Sequence, residues 1–255
     1  MKNDLDKERR AVEDVKPYAA SGSKSKQVET MFDSIAPAYD LMNACMSLGM
    51  HNIWRDMALK MAVRRLGGEP ADLLDVATGT GDLLFALRKR FPHATLTGID
   101  LSGEMLAIAR RKLAEYPDER DIRFIQGDCL DMPLDDESFD MVTVGYGVRN
   151  FENMKRGYEE MRRVLRPGGV ICVVELSQPV SAIPLLLYRA YTRGFIPVAG
   201  RLMSGDPRAY SYLHESIEAA PQRRDMADIM ASAGFRDCIW KSVFPGAACI
   251  YIATK

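Results

Sequence analysis

The chain has 255 residues, 47% of them hydrophobic, which is enough for one α/β domain with additions or two small ones. Its 34 basic and 35 acidic residues leave a net charge of −1, so no broad electrostatic binding to nucleic acid is expected. The polar, charged N-terminus is neither a signal peptide nor a membrane span, and five scattered cysteines without a Cys-x-x-Cys pair read as reduced thiols of a cytoplasmic protein.

In chain order, residues 1–27 are charged or small and are expected to form a mobile tail. Residues 28–66 read as a helical N-terminal cap, interrupted at Pro37 and Gly49. From 72 to 177 strands and helices alternate. Strands are expected at Asp72–Ala77, Thr95–Asp100, Ile122–Gln126, Phe139–Gly145 and Val170–Leu176. Helices are expected at Gly81–Phe91, after a Ser102 cap to about Glu115, and at Asn153–Leu165. Arg166-Pro167-Gly168-Gly169 reads as a turn. Residues 178–222 lack strand alternation and read as an inserted helical lid. Arg223–Ala233 reads as a helix, and Phe235–Phe244 with Ala248–Thr254 as an antiparallel hairpin at the sheet edge. This pattern predicts a Rossmann-like α/β domain: a mostly parallel seven-stranded sheet with helices on both faces and ligands at the carboxyl ends of its strands.

The chemistry starts at Leu73-Leu74-Asp75-Val76-Ala77-Thr78-Gly79-Thr80-Gly81-Asp82. An apolar strand runs into an acid, a glycine turn and a helix. Glycine lets backbone approach a ligand closely. The dinucleotide fingerprint would place a third glycine where Leu84 stands. Asp100, ending strand two, can bind ribose hydroxyls. Asp128, after strand three, can accept from an adenine amino group. Three acids at adjacent strand ends suit a cofactor with an amine, a ribose and an adenine but no phosphates, as in S-adenosylmethionine. A structural glycine turn is the plainer alternative. No His/Cys cluster has metal-ligand spacing, so no metal is expected.

Asp75-x-Ala77-x-Gly79-Thr80-Gly81, Asp100, Gly127-Asp128 and Arg166-Pro167-Gly168-Gly169 resemble class I S-adenosylmethionine-dependent methyltransferases. Further segments narrow the resemblance. These are Met31-Phe32-Asp33-x-Ile35-Ala36-x-x-Tyr39-Asp40-x-x-Asn43, Ser47-x-Gly49-x-His51-x-x-Trp54-Arg55, Gly145-Tyr146-Gly147-Val148-Arg149-Asn150 and Tyr210-x-Tyr212-Leu213-x-Glu215-Ser216-Ile217. Together, over roughly 28–245, they resemble the ubiquinone/menaquinone biosynthesis C-methyltransferases. Two features depart from that family: Tyr146-Gly147-Val148 stands where Phe-Gly-Leu is usual, with Gly145 before it, and Tyr251 lies in the C-terminal strand. Gly145 stands where a serine is common, leaving only backbone for a cofactor contact. Tyr251 stands where the C-terminal strand usually carries a histidine, which bears on the acceptor end.

The resemblance implies methyl transfer to a ring carbon of a reduced prenylated quinone, activated as its phenolate. It implies that Gly79, Thr80 and Gly81 hold the methionine end, that Asp100 binds ribose, and that Asp128 and the Cys129 backbone bind adenine. Asp75 is expected to order the loop and face a cationic ligand, and Tyr39 to meet the cofactor carboxylate, with a packed aromatic as its alternative. Arg149 and Asn150 are expected to face the acceptor, with Arg149 stabilising phenolate or holding a water that takes the proton. His51 is a further candidate base. A salt-bridged Arg149 and a structural His51 beside Trp54 are the alternatives. Cys129 lacks the Pro-Cys pair of RNA cytosine methyltransferases, and Gly145-Tyr146-Gly147 replaces the Pro-Pro-aromatic element of base amino-methyltransferases. Ile183 to Tyr188 and Phe195 to Val198 are expected to line a tunnel or touch the bilayer, with Arg189, Arg193 and Arg201 near anionic headgroups, and a helix packed on the core with solvated arginines is the alternative. Peripheral contact at the inner membrane face and a homodimer follow as expectations. Another lipophilic acceptor, or a non-catalytic cofactor-binding partner in quinone synthesis, stays open.

Overall fold

The computed structural model describes residues 11–19, 21–47, 49–115, 121–195 and 206–255. Three helices come first: α1 (Lys24–Ile35), α2 (Tyr39–Ser47) and α3 (Met50–Leu66). Then β1 (Asp72–Val76), α4 (Asp82–Arg90), β2 (Thr95–Asp100), α5 (Gly103–Ala114), β3 (Ile122–Gln126) and β4 (Phe139–Gly145) follow. A 3₁₀ turn, Val148–Asn150, leads to α6 (Met154–Val164) and β5 (Leu165–Leu176). The lid contributes α7 (Ala182–Ala190), a π turn at Tyr191–Phe195 and α8 (Pro207–Ala219). The chain closes with α9 (Arg224–Ser232), β6 (Arg236–Val243) and β7 (Ala248–Thr254).

The sheet order is β3-β2-β1-β4-β5-β7-β6. The first five strands are parallel, and β7 runs antiparallel between β5 and β6. The chain therefore moves outward from β1 to β3 and then returns to lay β4 on the other side of β1. That reversal opens a crevice at the carboxyl ends of β1 and β4. The strands are apolar on both sides because both faces are covered. Val76, Val142 and Tyr251 pack toward α6 and α9. Leu73, Met141 and Ile250 pack toward α3 and α4.

Three sequence expectations change. Residues 11–27 are not a free tail: Val12 and Val15 are buried, and a 3₁₀ turn spans Val12–Asp14. The charges dominate the composition there, yet two valines three apart suffice to anchor the strap. Residues 1–10 lie outside the described residues. Arg166–Gly169 is not a turn ahead of a strand but a bulge within β5, because Leu165 pairs with Phe139 and Val170 with Met141. Arg166 fixes the bulge by bonding Asp140 at 2.6 Å and Asp72 at 2.8 Å. Tyr251 lies inside the core, and its hydroxyl accepts from the Arg223 backbone N–H at 2.8 Å. It does not line the large cavity at the carboxyl ends of β1 and β4. No helix among the described residues is long and apolar enough to cross a membrane.

Gly157 lets α6 press on the turn that carries Arg149. A Cβ there would stand 2.5 Å from the buried Phe151 ring. Gly157→Ala is expected to destabilise the fold by about 1–3 kcal/mol despite alanine's better helix propensity. Urea denaturation checks this, and an unchanged midpoint would show that Phe151 has room to move.

Candidate active site

The loop after β1 is shaped by left-handed backbone at Ala77, Gly79 and Gly81. At Gly81 a Cβ would also strike Phe85 at 2.8 Å, so glycine is required twice over. Asp100 ties this loop to the next helix. One of its oxygens accepts from Gly79 N at 2.7 Å and the other from Ser102 N at 2.9 Å. Ser102 caps α5 by accepting from Met105 N, and donates to Asp33 of α1 at 2.6 Å. Burial pushes the Asp100 carboxyl up to about 6 against these backbone donors.

Asp75 is fully within the core side of the crevice. Thr78 and Thr143 hydroxyls donate to it at 2.7 and 2.6 Å. Burial nevertheless pushes its carboxyl up to about 7. The Thr80 hydroxyl donates to Asp40 at 2.5 Å, and Lys112 bridges Asp40 and Asp82 at 2.6 and 2.8 Å. The cap helix α2 is thereby fastened to the glycine loop and α5.

Two joined cavities occupy the crevice. The first is lined by Asp100, Gly127, Asp128, Cys129 and residues of α1, with Glu29 and Glu152 at its edge. Its lining holds four acids and no lysine or arginine. Asp128 also caps its own loop by accepting from Leu130 N at 2.9 Å, and burial pushes the Cys129 thiol up, leaving it an inert, protonated group. The second cavity is larger, about 540 Å³, and mainly apolar, walled by Met42, Trp54, Tyr188, Tyr210 and Phe244 among others. Tyr39, Gly79, Gly145, Tyr146 and Asn150 border both.

Asp75, Thr80, His51 and Arg149 reach the larger cavity, and Asp100, Asp128 and Cys129 the smaller one. Gly81 is the exception among the expected site residues: it lines neither cavity and opens α4 behind the loop. Tyr39 packs edge-on against Phe32, with ring centroids 6.0 Å apart. His51 pairs with the Ser47 hydroxyl, and burial, aided by Arg55, lowers its pKa, so its ring is neutral at pH 7. His214 of α8 is half-buried and lines the larger cavity.

Arg149 is both a cavity residue and an ion-paired one. Its Nη1 donates to Glu175 at 2.7 Å and to the Tyr146 carbonyl, while its backbone N–H donates to the second Glu175 oxygen at 3.2 Å. Burial is the largest influence and works against its charge, but Glu175, Tyr212 and Tyr39 act together in the other direction and the pKa is raised. Asn150 accepts from the Tyr212 hydroxyl of α8 at 3.1 Å. Sequence reasoning missed Glu175. The available signal was an acid inside the buried run Val173-Val174-Glu175-Leu176, which demands a cationic partner.

Residues 20–255 match the model of the ubiE/COQ5 methyltransferase family. The chain belongs to that family. It is 44% identical, over 95% of its own length and 98% of the relative's, to demethylmenaquinone methyltransferase of Porphyromonas gingivalis. It is 34% identical to the ubiquinone/menaquinone biosynthesis C-methyltransferase UbiE of Coxiella burnetii, over 91% of this chain and 92% of that protein. Among solved structures it is similar to a SAM-dependent methyltransferase of Thermotoga maritima, a possible histamine N-methyltransferase. There the TM-score is 0.59 at 19% identity, covering 89% of this chain and 99% of that one, a likeness of fold. For a ubiE/COQ5 family member, the buried Tyr251 is then a core substitution and leaves the lining of both cavities intact.

The raised Asp75 pKa has a sign that can be tested. The carboxyl titrates near 3.9 when unfolded and at about 7 when folded, so its contribution to stability is complete below pH ~4 and lost as pH rises through 7. Asp75→Asn is expected to gain stability relative to wild type between pH 5 and 8. Thermal melts across that range decide it, and a constant difference between the two proteins would refute the shift.

Proposed function

We propose that this ubiE/COQ5 family methyltransferase moves the methyl group of S-adenosylmethionine to a ring carbon of a reduced prenylated quinone. Demethylmenaquinol and the demethylated benzoquinol precursor of ubiquinone are the acceptors in view. The supporting observation is the pairing of an acid-lined cavity free of cations with a mainly apolar cavity that has a guanidinium at its polar end. The relatives' names point the same way.

The small cavity fits the cofactor. Four acids without a lysine or arginine favour a cationic ligand and repel pyrophosphate. In the proposal Asp100 accepts from the ribose hydroxyls, since each oxygen, though bonded once to backbone, keeps a lone pair. Asp128 and the Cys129 backbone hold the adenine edge. Gly145 borders the site through backbone alone. The loop Gly79–Gly81 and the N-terminus of α4 meet the methionine end, with Tyr39 beside them. The Thr80 hydroxyl is engaged by Asp40, so Thr80 acts there through its backbone. Asp75 sits behind the loop and favours positive charge in front of it.

When bound, the cofactor supplies an electrophilic methyl on a cationic sulfur. The protein's part is to hold the ring, lower the energy of its phenolate and keep water out. Arg149 stabilises the negative oxygen as a donor, because a guanidinium is not a base. The neutral His51 ring can accept the proton, directly or through a water. Asn150 and Tyr212 connect the reacting end to the lid.

Labelled methyl transfer to short-chain demethylmenaquinone and to a demethylated benzoquinone, each reduced and oxidised, tests this reading. Product from reduced acceptors only is expected. Asp100→Ala should lose cofactor binding in calorimetry. Arg149→Lys, which keeps the charge beside Glu175, should retain cofactor affinity and lose most turnover. Full activity of that variant would remove Arg149 from the mechanism.

Peripheral membrane contact is the finer part of the proposal. Phe244 is 86% exposed, and Val180, Leu186 and Ile53 are exposed as well. Each lies one or two residues from a cavity-lining residue: Pro245, Pro179, Pro184 and Trp54. Trp54 donates to the Phe244 carbonyl at 3.1 Å, which holds the hairpin end against α3. Exposed apolar groups around the mouth of an apolar cavity suit delivery of a prenylated ring from a bilayer. The side chains of Arg189 and Arg193, and Arg201 itself, lie outside the described residues. Flotation with anionic vesicles is expected to show binding that Phe244→Asp with Ile53→Asp abolishes. Equal flotation of both proteins would place the contact elsewhere.

A further inference from the structure

The corner between α2 and α3 fixes the state of one imidazole ring. Gly49 turns the chain there in left-handed backbone, φ +76°, between Ser47, the last residue of α2, and His51 in the first turn of α3. Ser47 Oγ makes two contacts, and each needs a hydrogen. It lies 2.7 Å from the Asn43 carbonyl one turn back, and it is hydrogen-bonded to His51 Nδ1. Asn43, Ser47 and His51 all line the larger cavity.

A serine hydroxyl carries one hydrogen, and a carbonyl oxygen carries none. Two oxygens 2.7 Å apart are at the distance of an O–H···O bond and would repel without a hydrogen between them, so the Ser47 hydrogen belongs to the contact with Asn43. Toward His51 the Ser47 oxygen then has only lone pairs, and the hydrogen of that contact comes from Nδ1. Burial, with Arg55 one turn further along α3, lowers the His51 pKa, so the ring is neutral at pH 7 and holds a single N–H. With that hydrogen on Nδ1, Nε2 keeps a bare lone pair. Among the described residues no group bonds Nε2, and Nε2 is not one of the sealed, unpartnered polar atoms. The half-buried ring thus reaches the cavity with its basic nitrogen unclaimed.

We propose that Ser47 is a positioning residue that holds His51 in the Nδ1–H form and so makes Nε2 the atom that takes the acceptor's proton. For the quinol acceptor proposed above, on which this step rests, the ring O–H bond breaks and its electron pair stays on oxygen as phenolate. The proton forms a bond to Nε2, and His51 becomes imidazolium. The Nδ1–H bond to Ser47 is then charge-assisted and stronger, and Ser47 passes the polarisation on to the Asn43 carbonyl. The opposite tautomer would present an N–H to the hydroxyl and could take no proton there. A free histidine side chain favours that opposite form, so the bond to Ser47 reverses an intrinsic preference.

Proton–nitrogen correlation NMR of the unliganded protein at neutral pH reads the tautomer directly, because protonated and bare imidazole nitrogens resonate far apart. The chain has three histidines, and His51→Gln identifies the signals of this ring. Wild type is expected to show a protonated Nδ1 and a bare Nε2. Ser47→Ala should move the ring toward the Nε2–H form, and Ser47→Thr, which keeps the hydroxyl, should restore the wild-type signature. A wild-type ring protonated at Nε2, or a Ser47→Ala ring that stays protonated at Nδ1, would overturn the proposal. Turnover of short-chain demethylmenaquinol is the second arm. Ser47→Ala should lower kcat about 3- to 10-fold, the worth of one hydrogen bond, with KM and cofactor affinity unchanged, and Ser47→Thr should recover most of that loss. His51→Gln should lower kcat about 100-fold or more. A Ser47→Ala enzyme with a changed tautomer and full kcat would take the proton step away from Nε2 and overturn the proposal as well. Lack of wild-type turnover on any quinol would instead sink the acceptor reading, while the NMR result still decides the role of Ser47.

Discussion

The buried Arg149–Glu175 ion pair is the junction on which the site depends. Glu175 ends β5, and its two oxygens receive Arg149 Nη1, Arg149 N and the Leu176 N–H. The Arg149 carbonyl accepts from Lys24 at 3.0 Å, and the same ammonium reaches the Val12 carbonyl at 2.7 Å, so the N-terminal strap is bound to the turn after β4. The adjacent Asn150 receives the lid through Tyr212. One ion pair therefore sets the relation of sheet, strap and lid. A pair of this kind is a poor source of net stability, since desolvation takes back much of the attraction, but losing one partner costs about 3–5 kcal/mol. Its presence is better explained by the need for a fixed positive charge at the cavity wall.

The cap is organised by the same logic of acids placed on backbone and hydroxyl donors. Asp33 receives the Ser102 hydroxyl at the N-terminus of α5, and Asp40 receives the Thr80 hydroxyl and Lys112. Helices α1 and α2 are thus held over the crevice by directional bonds at its rim, while their apolar sides, through Met31, Ile35 and Met42, face the larger cavity. A cap assembled this way closes a water-poor space without filling it. That is the condition under which a cationic donor and an anionic acceptor, whose charges cancel as they react, gain from leaving water.

Much of this was legible in the sequence because it rests on local rules. The strands β2, β3 and β4 fall where apolar runs end at a glycine or an acid, β7 is the apolar run Ala248–Thr254, and the glycine loop is recognisable from its spacing. The misses share a different cause. Val12 and Val15 are two apolar residues in a charged stretch, and only the tertiary surface that receives them gives them meaning. The bulge at Arg166–Gly169 follows from Asp72 and Asp140, residues distant in sequence that hold the arginine. The histidine's replacement by Tyr251 suggested a change at the acceptor, but strand alternation places that side chain on the α6 and α9 face. Glu175 was hidden because its partner lies 26 positions away across two strands.

The backbone at Tyr146 carries the last step. A non-glycine residue at φ +59° is in the sparsely populated left-handed region, at a cost of order 1–3 kcal/mol for a bulky side chain. The neighbours on both sides, Gly145 and Gly147, are glycines, so this short turn already uses the residue that adopts such geometry freely. A tyrosine stands between them, with its hydroxyl buried and unpartnered, at one of the residues that border both cavities. The backbone there is held by the Tyr146 N–H, which donates to the Val174 carbonyl at 2.7 Å, and by Arg149, which donates to the Tyr146 carbonyl. The strained backbone at Tyr146 is thus held by β5 and by Arg149, the same group that stands at the polar end of the larger cavity.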